Sequence, residues 1–212
     1  MLITINPNVY RRIEVRMTSE TPRSRAKSDR RDQLIAAAER LIAEHGYLAV
    51  RLEDIGAAAG VSGPAIYRHF SNKEALLVEL LVGISTRLLN GATDVVTANP
   101  LPQDALNGLI DFHLDFALGE SDLIRIQDRD LSHLPAQAKR QVRKAQRQYV
   151  EIWVDVLRRL DDSLDEADAR LMAQAVFGLL NSTPHSVKTP TLTHSSRAVL
   201  RAMTVAALGS SR

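Results

Sequence analysis

Apolar residues recur at helical spacing along most of this chain. After Ser28 or Asp29, Leu34, Ala38, Leu41 and Ile42 stand three or four apart, and Gly46 ends the run. A second, shorter segment from Leu52 to Ala59 places Leu52, Ile55 and Ala59 on one face, and Gly60 breaks it. Pro64 to Phe70 reads as a third helix, with proline in the first turn, where its missing N–H costs nothing. Ser71-Asn72-Lys73-Glu74 fits a Ser-x-x-Glu capping box and opens a fourth, striped by Leu77, Leu80, Leu81, Ile84 and Leu88. The turn Asn99-Pro100-Leu101-Pro102 follows, and further helices are predicted at about 102–118, 121–129, 135–160, 165–181 and 195–208. No segment reads as a strand. The expected fold is all-α, with about nine helices.

The segment Leu52 to Glu74, LEDIGAAAGVSGPAIYRHFSNKE, is the informative one. Two short helices joined by a glycine-containing turn make a helix-turn-helix, and Gly60 supplies the positive φ of a tight reversal. Ile55, Val61, Ile66 and Phe70 can close a small core against the first helix, leaving Gly63, Ala65, Tyr67, Arg68 and His69 outward. Gly63, Pro64 and Ala65 let a backbone approach the major groove, and Arg68 can make a bidentate contact to guanine. Tyr67 and His69 carry tips suited to phosphate, and Lys73 with the first amides of the fourth helix can anchor another. Each has a plainer reading: Tyr67 covering the motif's core, His69 capping it, Arg68 merely solvated.

Asp54-Ile55, Ala59-Gly60-Val61-Ser62, Ile66-Tyr67, His69-Phe70 and Asn72-Lys73-Glu74-Ala75-Leu76 closely resemble the TetR-family signature in order and spacing, and the preceding QLIAAAERLIAEHGYLAV resembles that family's first helix. The resemblance covers about 60 residues. It implies that Gly63, Pro64, Ala65, Tyr67, Arg68 and His69 face double-stranded DNA, that Lys73 contacts phosphate, and that the last two helices make a homodimer. It also implies repression relieved when a small molecule binds the C-terminal domain. Three departures stand out. Val50-Arg51 replaces the usual Thr cap, so Arg51 becomes a phosphate candidate; Gly56 replaces Ala, at a cost of ~1 kcal/mol in helix propensity; and Gly63-Pro64 replaces Lys-Gly, so the target sequence cannot be borrowed.

Composition narrows the picture further. Hydrophobic residues make up 45% and charged residues 25%, and there is no cysteine to form a disulfide or thiolate site, which fits a cytoplasmic location. Residues 1–75 hold 12 Lys/Arg against 9 Asp/Glu, while the remainder holds 15 against 16. The predicted division is a flexible basic arm at 1–28 (Met17 being an alternative start), a DNA-binding domain at 29–75 and a helical ligand-binding and dimerisation domain at 76–212. No signal-peptide core and no apolar run of about 18 residues is apparent, so no membrane partner is expected. Nucleophile-elbow, His-Glu-x-x-His, P-loop and dinucleotide motifs are absent, which argues against the alternative of a helical enzyme.

In the C-terminal domain the candidate effector-binding residues are Phe112, His113, Phe116, Arg125, Arg129, Tyr149, Trp153, Phe177 and Asn181. The competing reading is that these aromatics are core. Asp111-x-His113-x-Asp115 is a poor metal site because residues two apart do not share a helix face; no metal and no cofactor is expected. Helices 165–181 and 195–208 carry apolar character too wide for one contact, which predicts burial on two sides and a symmetric pair reading a pseudo-palindromic operator. The resemblance points to an acyl-CoA or other lipid-derived effector, with a hydrophobic drug-like molecule or a ligand-independent regulator as alternatives.

Overall fold

The computed structural model describes residues 22–182 and 194–209, and these form nine α-helices with no strand. The predicted arm up to residue 21, and residues 183–193 with Pro184, His185 and Pro190, lie outside the described residues. Helix α1 spans Pro22–His45 and begins seven residues before the predicted boundary, so 22–28 are its first two turns, not part of an arm. It ends where Gly46 takes φ +88° and its N–H reaches the Ile42 carbonyl at 2.8 Å.

Helices α2 (Leu52–Ala58) and α3 (Gly63–Ile66) follow. The Val61 N–H bonds the Gly56 carbonyl at 2.7 Å and the Gly60 N–H bonds the Ala57 carbonyl at 3.0 Å. This pair of bonds is a Schellman turn, and it sets Gly60 at φ +68°. Helix α3 is shorter than the predicted 64–70: beyond Ile66 the chain continues as tight turns, with Arg68 and His69 N–H groups reaching back three residues. Helix α4 (Lys73–Ala98) is capped by Asn72, not Ser71; the Asn72 side chain accepts from the Ala75 N–H at 2.7 Å.

Five helices complete the chain: α5 (Pro102–Gly119), α6 (Ser121–Asp130), α7 (Ala136–Leu160), α8 (Glu166–Leu180) and α9 (His194–Gly209). A 3₁₀ turn at Leu131–His133 joins α6 to α7. Among the described residues, one helix is long and apolar enough to cross a membrane by length and composition, and it is α4. Its apolar residues are spent inside the fold. Leu76, Leu77, Leu80, Leu81 and Ile84 join Leu34, Ala38, Ile42, Ile55, Ile66 and Phe70 in a head core, and Ala92 enters a second core with Leu109, Trp153, Leu157 and Val176. The boundary expected at 75/76 therefore falls inside one continuous helix that serves both cores.

The head core also takes Leu123 and Ile126 from α6 and Leu134, Ala138 and Val142 from α7. Along α5, Asp111 and Asp115 are four residues apart and share a face. Arg197 of α9 pairs with both, at 3.1 Å from Asp111, and Arg201 reaches Asp111 at 3.1 Å and Asn107 at 3.3 Å. These ion pairs tie α9 to α5.

Nothing lies within 4 Å of a Cβ built on Gly60, so a side chain there meets only the cost of its left-handed backbone. Gly60→Ala is expected to lower stability by about 1–2 kcal/mol, read as an earlier denaturant midpoint at unchanged slope.

Candidate DNA-reading face and effector cavity

The head holds α3 by its inner side. Ile66 and Phe70 are buried, and the Arg31 guanidinium stacks 4.3 Å from the Phe70 ring centroid while donating to the His69 carbonyl at 2.6 Å. Glu79 of α4 receives the same guanidinium through two contacts, one of them at 2.7 Å. This leaves Pro64, Tyr67 and Arg68 exposed, with Gly63 and Ala65 half-buried beside them. The Arg68 side chain makes no hydrogen bond among the described residues. Tyr67 donates its hydroxyl to Glu53 of α2, a bond that raises the tyrosine pKa and lowers that of the glutamate.

Two of the sequence-predicted contacts, Lys73 and His69, sit differently. Lys73 turns inward: its Nζ donates to the carbonyls of Tyr47 at 2.7 Å and Val50 at 2.8 Å and lies 4.4 Å from the Tyr47 ring centroid. It closes the turn between α1 and α2, so in this structure its donors go to main-chain carbonyls and not to the outer surface. His69 is half-buried, with Nδ1 enclosed and unpartnered among the described residues. Burial lowers its pKa, and Arg31, Lys27 and Arg30 lower it further. Arg51 is exposed at the α2 N-cap, where its backbone N–H donates to Asp54 at 3.0 Å; this is the reciprocal half of a capping box, and the guanidinium cannot accept as the usual Thr would.

Behind the head, a cavity of about 210 Å³ opens among α4 to α8. His113, Phe116, Tyr149, Phe177 and Asn181 line it, as predicted for candidates, together with Ile124, Gln127, Ser85, Leu88, Ala145, Gln146 and Val150. His113 centres its polar wall: Nδ1 is 2.9 Å from the Tyr149 hydroxyl and Nε2 is 3.0 Å from Asn181 Oδ1. An Asn oxygen only accepts, so Nε2 carries the proton and Nδ1 accepts from Tyr149. A second groove of about 520 Å³ lies at the far end of the bundle, beside Leu171, Met172 and Val205. It has no such buried polar network and abuts the exposed faces of α8 and α9.

Four predicted cavity residues are elsewhere. The Phe112 ring packs on Gly91, where a Cβ would come within 2.3 Å of it. Trp153 is fully buried behind the cavity, edge-on to Phe177 at 5.1 Å, and does not line it. Arg125 pairs with Asp122 at 3.1 Å. Arg129 binds Asp130 at 3.0 Å and reaches across to the Ile42 and Ala43 carbonyls at the end of α1, lying over Gly46. These partners lie up to 87 positions away along the chain, and no local pattern marks them. Gln146 and Val150 were legible in principle, since both lie within one turn of Tyr149 on α7.

Full burial holds the His113 pKa down to about 4 from 6.5. Above pH 6.5 the ring is neutral in both states and contributes no pH dependence. Below it the unfolded chain takes up a proton that the folded chain refuses, so stability falls with pH. The loss is about 1.4 kcal/mol per pH unit, reaching about 3 kcal/mol near pH 4. Urea unfolding of wild type against His113→Gln between pH 4.5 and 7 is expected to show this extra slope in the wild type alone.

Comparison with known proteins agrees with this geometry. The family model described as bacterial regulatory proteins, tetR family, matches residues 34–80, and the tetracyclin repressor-like C-terminal domain matches 100–185. The chain is 27% identical over 132 residues to the HTH-type transcriptional repressor KstR2 of Rhodococcus jostii, covering 62% of this chain and 65% of that one. It is 27% identical over 153 residues to the HTH-type transcriptional activator FasR of Mycolicibacterium smegmatis, covering 72% and 69%. The alignments thus span about two thirds of these relatives' lengths. Among solved structures, the ketosteroid regulator KstR2 of Mycobacterium tuberculosis superposes with TM-score 0.74 at 24% identity, over 85% of this chain and 93% of that one. AibR, solved with isovaleryl coenzyme A and operator DNA, superposes with TM-score 0.70 at 18% identity, over 84% and 97%. With its helix-turn-helix and its C-terminal domain both matched, the chain belongs to the TetR family of bacterial regulatory proteins.

Proposed function

We propose that this chain is a sequence-specific DNA-binding transcription regulator that grips a pseudo-palindromic operator as a homodimer and is released by a small-molecule effector. The observation that carries the DNA reading is the outer side of α3. Small residues at Gly63, Pro64 and Ala65 lead into an exposed Tyr67 and an unengaged Arg68, all on a segment pinned from behind by Ile66, Phe70 and Arg31. A rigid, slim edge ending in a guanidinium suits the major groove. Arg51 and the outer part of His69 flank it and are the remaining phosphate candidates.

The dimer reading rests on apolar surface left uncovered. Leu171 on α8 and Val199 and Met203 on α9 are 64%, 53% and 50% exposed, alongside exposed Ala175, Gly178, Ala198, Ala202 and Ala206. A second copy presenting the same two helices would bury this face and space two α3 segments for half-sites about 34–36 Å apart or a multiple of that.

The release reading rests on α6. One side of it supplies Ile124 and Gln127 to the cavity, another supplies Leu123 and Ile126 to the head core, and Arg129 at its end holds the last carbonyls of α1. A ligand that fits better when α6 has shifted would favour a head spacing that no longer matches the operator. The effector we favour is an acyl-CoA or related lipid-derived molecule: the cavity is largely apolar, and AibR, a neighbour in fold, is described with isovaleryl coenzyme A. Repression is the favoured direction of control.

Two experiments test this. Fluorescence anisotropy on promoter fragments beside the gene should show preference over random duplex, with affinity falling steeply as salt rises. Arg68→Ala should weaken that binding by about 1–3 kcal/mol while leaving thermal stability within about 0.5 kcal/mol; equal binding by wild type and variant would remove Arg68 from the interface. Leu171→Glu with Met203→Glu should give the solution mass of a single subunit and lose operator affinity, and a dimeric variant would refute this choice of interface.

A further inference from the structure

The first half of α7 carries a charge pattern that the proposed DNA-reading side and dimer face do not include. Arg140, Arg143, Lys144 and Arg147 are all exposed, and among the described residues none hydrogen-bonds or pairs with a carboxylate. From Leu131 to Val150 the sequence contains no acidic residue. Several other arginines of this fold, Arg31, Arg87, Arg129, Arg170, Arg197 and Arg201, each meet a carboxylate, whereas Arg68 on the DNA-reading side does not. On α7, Arg140 with Lys144 and Arg143 with Arg147 are instead like-charge pairs four residues apart, an arrangement that costs helix stability.

The position of this row gives it a use. Arg143 lies three residues before Gln146 and Arg147 three before Val150, so the two arginines form the row of α7 directly beside the one that lines the cavity. The cavity's rim is polar and uncharged at Gln127, Gln146 and Asn181, and its deepest polar group, His113, is held neutral. At about 210 Å³ it falls below the roughly 300–1,000 Å³ that encloses a whole small molecule. An occupant would place an apolar part inside and leave the rest at the rim, against the arginines.

We propose that Arg143 and Arg147, supported by Arg140 and Lys144, bind the phosphates of an acyl-CoA whose acyl group fills this cavity. This rests on the effector reading above and adds the site for the anionic half of the ligand. Multidentate guanidinium–phosphate contacts would orient the thioester at the rim.

The buried Trp153, the chain's only tryptophan, packs on Phe177 and Tyr149 of the cavity wall and reports occupancy by its fluorescence. The full chain is titrated with isovaleryl-, octanoyl- and palmitoyl-CoA and with the same acyl groups on pantetheine, which lacks the phosphates. Wild type is expected to bind at least one acyl-CoA tenfold or more tighter than its pantetheine counterpart, with that advantage shrinking as salt rises. Arg143→Gln/Arg147→Gln should bind the two forms alike, keep the wild-type affinity for the pantetheine form, and keep its ligand-free operator affinity. Equal wild-type affinity for both forms, or a double variant that retains the preference, overturns the phosphate site while leaving the effector reading intact. Weakened operator binding by the ligand-free variant also overturns it, by assigning the row to DNA. If no acyl thioester of either kind binds the wild type, the effector reading itself fails and the phosphate site with it.

Discussion

A helix of four residues has no stability of its own, because nucleating the first turn costs more than the few hydrogen bonds it gains. Helix α3, Gly63–Ile66, exists because its surroundings hold it. The Schellman turn at Gly60 delivers the chain, burial of Ile66 and Phe70 fixes one side, and Arg31 clamps the far end through the His69 carbonyl. That external support makes the outer side of α3 rigid enough to present Arg68 at a defined angle. Lys73 belongs to the same scaffold: by closing the 47–50 turn from the start of α4, it holds α1 and α4 in the register that α3 depends on.

The seam between α1 and α6 is the second element that gives the molecule its character. Asp130 is 2% exposed and would be costly to bury alone. Arg129 neutralises it and spends its remaining donors on the Ile42 and Ala43 carbonyls near the end of α1. Tyr47, stacked 5.1 Å from His133, adds an aromatic contact across the same joint. A displacement of α6 within the bundle therefore has a direct mechanical route to the head, and α6 is also a wall of the cavity. The proposed release mechanism needs no longer pathway than this one helix.

Much of the fold was readable in advance. Helical periods placed all nine helices of the described residues within a few positions, apart from the early start of α1 and the short α3. No apolar stripe marks the early start: Arg25, Lys27 and Ser28 are exposed and polar. The short α3 was missed because a helix and a run of three-residue turns share the same apolar spacing at Ile66 and Phe70. Of the candidates chosen by residue type, His113, Phe116, Tyr149, Phe177 and Asn181 line the cavity, while Phe112, Trp153, Arg125 and Arg129 do not. A charged residue near a pocket in sequence has many possible partners, and only packing selects among them.

Local physics in the sequence by itself determined the helices, the glycine reversals at Gly46 and Gly60, the helix-turn-helix and the wide apolar faces of the last two helices. Each of these depends on neighbours within a turn or two. Tertiary structure alone decided which way Lys73 turns, what Arg129 caps, and that His113 is neutral at the centre of a Tyr149–Asn181 network. Those outcomes depend on groups 23 to 87 positions apart in the chain, and a hydrogen bond at that separation is set by how whole helices pack, which no local spacing records.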